Sequence, residues 1–143
     1  MTLTLDELEM KVQLLEDLEE IKNLHKEYVF CLACCQWDDL LACFVEDATA
    51  EIGDYGRCKG KKEIKEMAYN IFNKLFKTNG HIVGKPAISV KGDRATSYWN
   101  LYIFPNEQSL TWGYGRYDCE YIKTDGKWKF SSVKFTSPQP VQP

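Results

Sequence analysis

The sequence predicts an α+β fold, with three helices laid on one face of a mostly antiparallel sheet. Two observations carry that prediction. Up to Gly80 apolar residues recur at helical intervals, and beyond Gly80 aromatic and β-branched runs alternate with short turn signals. Helices followed by an antiparallel meander is the pattern of segregated α+β layers. A third observation sets the scale: 143 residues, 44% hydrophobic and 27% charged, suit one globular domain over residues 1–136 with a core that needs no staples.

The elements follow in order. Thr4 and Glu7 have capping-box spacing, and Leu5, Leu8, Val12 and Leu15 follow at helical intervals. A second stripe runs Leu14, Leu18, Ile21, His25, Tyr28, Leu32 and Cys35. The offset between the stripes predicts either a wide apolar face or a bend near residue 16. Residues 1–16 then form a helical arm able to dock on a neighbouring subunit. Trp37, Leu40, Leu41 and Phe44 predict a short second helix, with Asp38 and Asp39 at its positive end. Residues 48–52 read as a strand and 53–60 as a loop. Ile64, Met67, Ala68, Ile71, Phe72, Leu75 and Phe76 mark an amphipathic third helix over 61–77, stopped at Thr78-Asn79-Gly80.

Four strands are expected beyond that stop. The first covers 81–90, interrupted by Gly84 and Pro86, and turns at Lys91-Gly92-Asp93. The second covers 95–104 and turns at Pro105-Asn106-Glu107. The third covers 109–122, the fourth 127–135, with Thr124-Asp125-Gly126 between them. The proline-rich 137–143 is expected to be a disordered tail.

Composition excludes several function classes. Eighteen basic and 21 acidic residues give a net charge of −3, which argues against nucleic-acid binding through a general basic field. No apolar run is long enough to span a bilayer, and the acidic first ten residues do not resemble a secretory signal. A cytoplasmic protein is expected, with no membrane or nucleic-acid partner. Nothing points to a nucleotide, because no glycine-rich phosphate loop is present, and no cofactor is expected. Cys31, Cys34 and Cys35 form a CxxCC cluster on one helical face. With no second CxxC and no nearby histidine to complete a zinc site, buried thiols are favoured over a metal, and Cys43, Cys58 and Cys119 are read likewise.

The later strands are crowded with Tyr98, Trp99, Tyr102, Phe104, Trp112, Tyr114, Tyr117 and Tyr121. Such a sheet must be covered on both faces. One face would meet the helices and enclose an aromatic pocket; the other could meet a second subunit, giving a homodimer or homotrimer.

Four segments together resemble the SnoaL-like branch of the nuclear transport factor 2-like superfamily. The first runs from Leu24-x-x-x-Tyr28 through Trp37-Asp38-x-Leu40 to Phe44-Val45-Glu46-Asp47-Ala48. The second is Gly60-Lys61-Lys62-Glu63-Ile64. The third is His81-Ile82-Val83-Gly84-Lys85-Pro86-x-Ile88, followed by Gly92-Asp93-x-Ala95. The fourth runs from Gly115-Arg116-Tyr117 to Asp125-Gly126-x-Trp128-x-Phe130. That branch includes scytalone dehydratase and bile acid 7α-dehydratase, with steroid Δ5-isomerase a more distant relative. The resemblance implies a cone of curved sheet around a pocket, closed by three helices.

The resemblance also implies candidate site residues. His81 stands where the dehydratases keep a pocket histidine, suited to moving a proton between carbon and a leaving hydroxyl; it could instead cap an element end. Tyr28 stands where both enzyme groups keep a tyrosine that polarises a substrate oxygen; it could instead be a core tyrosine. Asp118 falls at the isomerase's oxyanion-hole acid. It could donate a hydrogen bond, orient His81, or pair with Arg116 on the face that alternation assigns to Trp112, Tyr114, Arg116 and Asp118. Tyr55, Trp99, Asn100, Trp112 and Tyr114 are substrate-binding candidates, and His25 is read mainly as packed near the arm. Three family positions depart from the pattern: Ala33 replaces the aspartate that orients the histidine, Ile52 stands near the isomerase's general base, and Trp99 roughly replaces a second histidine. The expected function is a cofactor-independent dehydratase or isomerase for a hydrophobic, oxygenated, cyclic molecule. The alternatives are a ligand-binding protein without catalysis and an accessory subunit using its sheet face.

Overall fold

The computed structural model describes residues 2–73, 81–104 and 113–138. Helix α1 (Leu5–Ala33) is one continuous run of 29 residues, with no bend at residue 16. The reason is local: the Thr4/Glu7 capping box closes its first turn, and no glycine or proline interrupts the next 29 positions. The offset stripes therefore sit on different sides of a straight rod. The helix ends where Cys35 takes the left-handed conformation, φ 56°, a role glycine usually fills.

Helix α2 (Trp37–Ala42) follows, with Asp38 and Asp39 in its first turn. Strand β1 (Phe44–Ile52) starts earlier than the apolar pattern suggests. The expected loop after it holds a single 3-10 turn (Gly53–Tyr55) and a short strand β2 (Arg57–Lys59) that pairs back on β1. Helix α3 (Gly60–Met67) is α-helical for two turns and then widens into a π-helical stretch (Ala68–Phe72). The expected end of this helix, its Thr-Asn-Gly stop, the Pro-Asn-Glu turn and the tail beyond residue 138 lie outside the described residues.

The interrupted run at 81–90 is two strands, β3 (His81–Val83) and β4 (Ala87–Lys91). Both pair with opposite halves of β5 (Arg94–Ile103). Pro86 lies in the break, and Gly84 donates its N–H to the Asn100 carbonyl at 2.6 Å. Strands β6 (Gly113–Thr124) and β7 (Lys127–Thr136) complete the meander. The turns obey hairpin chemistry: Gly92 alone has positive φ in the first, whereas Asp125 and Gly126 both do in the second, as type II′ and I′ turns require.

The seven strands form one sheet in the order β2-β1-β7-β6-β5-β3, with β4 also on β5. Among the described residues, only β1 and β7 run parallel. The sheet is curled but unclosed, and the molecule is α+β as expected. A register shift at Glu120/Tyr121 makes Ser131 a bulge residue. Alternation then sorts the strands. Ala95, Ser97, Trp99 and Leu101 of β5 and Tyr117, Cys119 and Tyr121 of β6 are buried on the face that meets the helices. Gly115 belongs to this face because a Cβ there would collide with the Phe135 ring.

Candidate functional site

The helix-facing side of the sheet positions the candidate site. The buried positions of α1 that meet it are Asp17, Ile21, His25, Tyr28, Val29 and Leu32. Tyr28 packs its ring against Phe44, Tyr117 and Phe130 at centroid distances of 5.8, 5.9 and 5.2 Å. Burial above all raises both phenols above their ordinary value, so each remains a protonated donor at neutral pH.

His81 opens β3 opposite Ile103, two positions from Val83 opposite Leu101. Because Leu101 is buried beneath the helices and facing residues share a side, His81 points to the same side of the sheet as Tyr28. Its neighbour Ile82 is 49% exposed on the other side. Burial pushes the His81 imidazole down to about 4, so it is neutral at physiological pH. A neutral imidazole offers one ring nitrogen as acceptor and one as donor, the pair of functions a proton shuttle needs.

The structure also builds a polar cluster that residue spacing along the chain does not assemble. His25 is fully buried. Its ring stacks on Trp99 at 4.2 Å and meets Tyr28, Tyr117 and Phe130 edge-on. Its Nδ1 lies 3.5 Å from the Tyr121 hydroxyl and 4.0 Å from the Cys119 thiol. The Tyr121 and Ser97 hydroxyls share a 2.7 Å hydrogen bond, and Trp99 Nε1 donates to Ser97 Oγ at 3.0 Å. Burial lowers His25 to about 3. The signal was present in the stripe joining His25 to Tyr28 and in the alternation joining Ser97 to Trp99. What was missing was the pairing register that sets β5 beside β6 under the helix.

The remaining candidates are placed as follows. Trp99 lies under α1 as the stacking partner of His25. Asn100, Tyr114 and Asp118 lie on the opposite face of the sheet, so the structure does not bring them together with Tyr28 and His81. Asp118 accepts from Arg116 Nε at 3.2 Å and from its terminal nitrogen at 2.8 Å, and Arg116 lies over the Tyr98 ring at 4.2 Å. Tyr114 packs on Tyr102 at 5.3 Å. Tyr55 sits in the 3-10 turn after β1, 51% exposed. Trp112 lies outside the described residues. Ala33 is the last residue of α1, a methyl where the resemblance implies a carboxylate. No disulfide joins any of the six cysteines; Cys34 is exposed and Cys31, Cys43, Cys58 and Cys119 are buried. Among the described residues no group of three or more His, Cys, Asp or Glu side chains could hold a metal ion, and no helix is long and apolar enough to cross a membrane.

Comparison with known proteins places this arrangement. No curated protein sequence matches the chain. Solved structures do. An NTF2-like protein with a cystatin-like fold from Novosphingobium aromaticivorans superposes with a TM-score of 0.85 at 22% identity, over 96% of this chain and 92% of its own. A candidate scytalone dehydratase from the same organism gives 0.76 at 21% identity, over 87% and 86%. A hexachlorocyclohexane dehydrochlorinase, LinA type 2, gives 0.78 at 19% identity, over 92% and 95%. At these identities the likeness is one of fold. The SnoaL-like domain model matches residues 13–134, the span from the arm's end through the last strand. With the helix-capped, curled sheet and the helix-facing His81 and Tyr28 in the matched segments, the chain belongs to the SnoaL-like domain family.

Proposed function

We propose that the protein is a cofactor-independent lyase or isomerase acting on a small hydrophobic, oxygenated, cyclic molecule. The observation that carries the reading is the placement of His81: a neutral imidazole on the helix-facing side of the sheet, on the same side as the Tyr28 phenol. In the dehydratase form, His81 accepts a proton from carbon next to a substrate carbonyl. The freed electron pair forms the new double bond, the C–O bond on the adjacent carbon breaks, and the hydroxyl leaves as water with the proton His81 returns. In the isomerase form, the same proton goes to a different carbon. Tyr28, protonated, hydrogen-bonds the carbonyl oxygen as charge develops. Trp99 and Tyr55 are the candidates for apolar contact with the ring system. The fold family and its dehydratase and dehydrochlorinase neighbours support lyase chemistry of this type.

A second reading, ligand binding without turnover, is favoured by one specific feature. Ala33 provides no carboxylate to orient His81, and Asp118 is engaged with Arg116 on the far face.

One experiment separates the two. A panel of hydroxylated cyclic ketones and hydroxysteroids is incubated with the protein, and products are followed by mass spectrometry alongside a binding assay. The lyase reading predicts loss of water or a rearranged product. It also predicts at least ~10²-fold slower turnover in His81→Ala and a roughly 10- to 10²-fold loss in Tyr28→Phe. Unchanged ligand bound equally well by wild type and His81→Ala establishes the second reading. Turnover that survives His81→Ala removes His81 from the chemistry.

A further inference from the structure

The first part of α1 is exposed along its whole length. Residues 2–16 are exposed, and the first buried position is Asp17. This stretch is nonetheless rich in large apolar side chains. Leu5, Leu8, Val12 and Leu15 are 72, 45, 52 and 64% exposed, and they repeat with the three-four-three spacing of heptad a and d positions. At 100° per residue this seam points roughly 150° away from the stripe of Asp17, Ile21, His25, Tyr28 and Leu32 that rests on the sheet. The chain's own body therefore cannot cover it. The seam stops where Glu19 and Lys22 occupy the next a and d positions, just past the point where Asp17 anchors the helix.

The charges beside the seam identify the occupant. In this frame Lys11 is a g position, and Glu9 and Glu16 are e positions. Among the described residues no ion pair engages Lys11 or Glu16. In a parallel pair of helices each g residue lies beside the partner's e residue five positions on, so Lys11 of one copy meets Glu16 of the other, twice by symmetry. An antiparallel pair would set Glu9 against Glu16. We propose that two copies of this chain associate through their α1 arms, paired in parallel along Leu5, Leu8, Val12 and Leu15 with reciprocal Lys11–Glu16 contacts. Because the seam points away from each body, the two bodies lie on opposite outer sides of the arm pair and do not collide.

Analytical ultracentrifugation of the full chain tests this. Wild type is expected to be a concentration-dependent dimer. Leu8→Glu abolishes it. Lys11→Glu raises the dimer Kd by roughly ten- to thirtyfold through two lost attractions and two new repulsions. The double variant Lys11→Glu/Glu16→Lys restores it. All three positions are exposed, and an unchanged circular dichroism spectrum confirms folding. A monomer at every concentration, a dimer indifferent to Leu8→Glu, a trimer, or a double variant no tighter than Lys11→Glu overturns the proposal. A wild type that stays monomeric and sediments with phospholipid vesicles assigns the seam to a membrane surface and overturns it equally.

Discussion

His25 illustrates how much a single buried group can dictate. Its imidazole is walled by Trp99, Tyr28, Tyr117 and Phe130, and the titratable groups facing it, Tyr28, Tyr117, Cys119 and Tyr121, are all uncharged at neutral pH because burial raises each of them. Nothing on those walls can neutralise an imidazolium, so desolvation lowers its pKa to about 3. His81 is lowered the same way, to about 4. Both values lie below the ordinary 6.5, so between about pH 4 and pH 6.5 the unfolded chain binds more protons than the folded one. Stability is then full above about pH 6.5 and is lost as pH falls through that window. At about pH 5.5 unfolding is expected to take up about two protons from solvent onto the histidines. Denaturation midpoints measured across the window should give a slope that drops by about one proton in His81→Asn. An unchanged slope would mean that His81 is not desolvated. The residue scale was only partly legible in the sequence. Tyr28 and His81 could be named from motif position. His25 could not be distinguished from an arm-junction residue, because nothing along the chain shows that Trp99 lies within stacking distance of it.

At the scale of elements, the joint between α1 and the sheet is a polar clamp at the arm's base. Asp17 accepts from Trp128 Nε1 at 2.9 Å, from Lys123 Nζ at 3.1 Å and from Gln13 Nε2 at 3.1 Å. Three residues on, Glu20 accepts from the Trp128 backbone N–H at 3.0 Å. Burial pushes the Asp17 carboxyl up, but the hydrogen bonds from Trp128, Lys123 and Gln13 and the charge on Lys123 more than offset it and hold the group low. Asp17→Ala leaves the buried indole N–H of Trp128 unpaired and should cost about 1–3 kcal/mol. Asp17→Asn, which keeps an acceptor, should cost less. Thermal melts of the two variants check the order, and equal losses would mean that the contact acts by packing alone. Most strands could be read in the sequence because their turns carry glycine at positions of positive φ. The continuity of α1 could not, since two offset stripes fit a bent helix as well as a straight one with two apolar sides. Nor could the π-helical stretch after Met67, because widening by one residue leaves the apolar spacing of Ala68, Ile71 and Phe72 nearly intact.

At the scale of the whole molecule, the curled sheet divides the candidates by face. Tyr28, His81 and Trp99 lie on the helix side, and Asn100, Tyr114 and Asp118 on the outer side. Alternation along β6 already grouped Tyr114, Arg116 and Asp118 together. Which of the two groups faces the helices follows only from the sheet's pairing and burial. Among the groups under the helices are the His81 imidazole and the Tyr28 phenol, and the proposed chemistry rests on the first of them. The most direct measurement is an NMR pH titration of the His81 ring. The chain has two histidines, so the signal missing from His81→Asn assigns it. A desolvated His81 is expected to be neutral at pH 7, with a midpoint near 4. A midpoint at or above the ordinary 6.5 would contradict it, because His81 would then be solvated or held beside a negative charge.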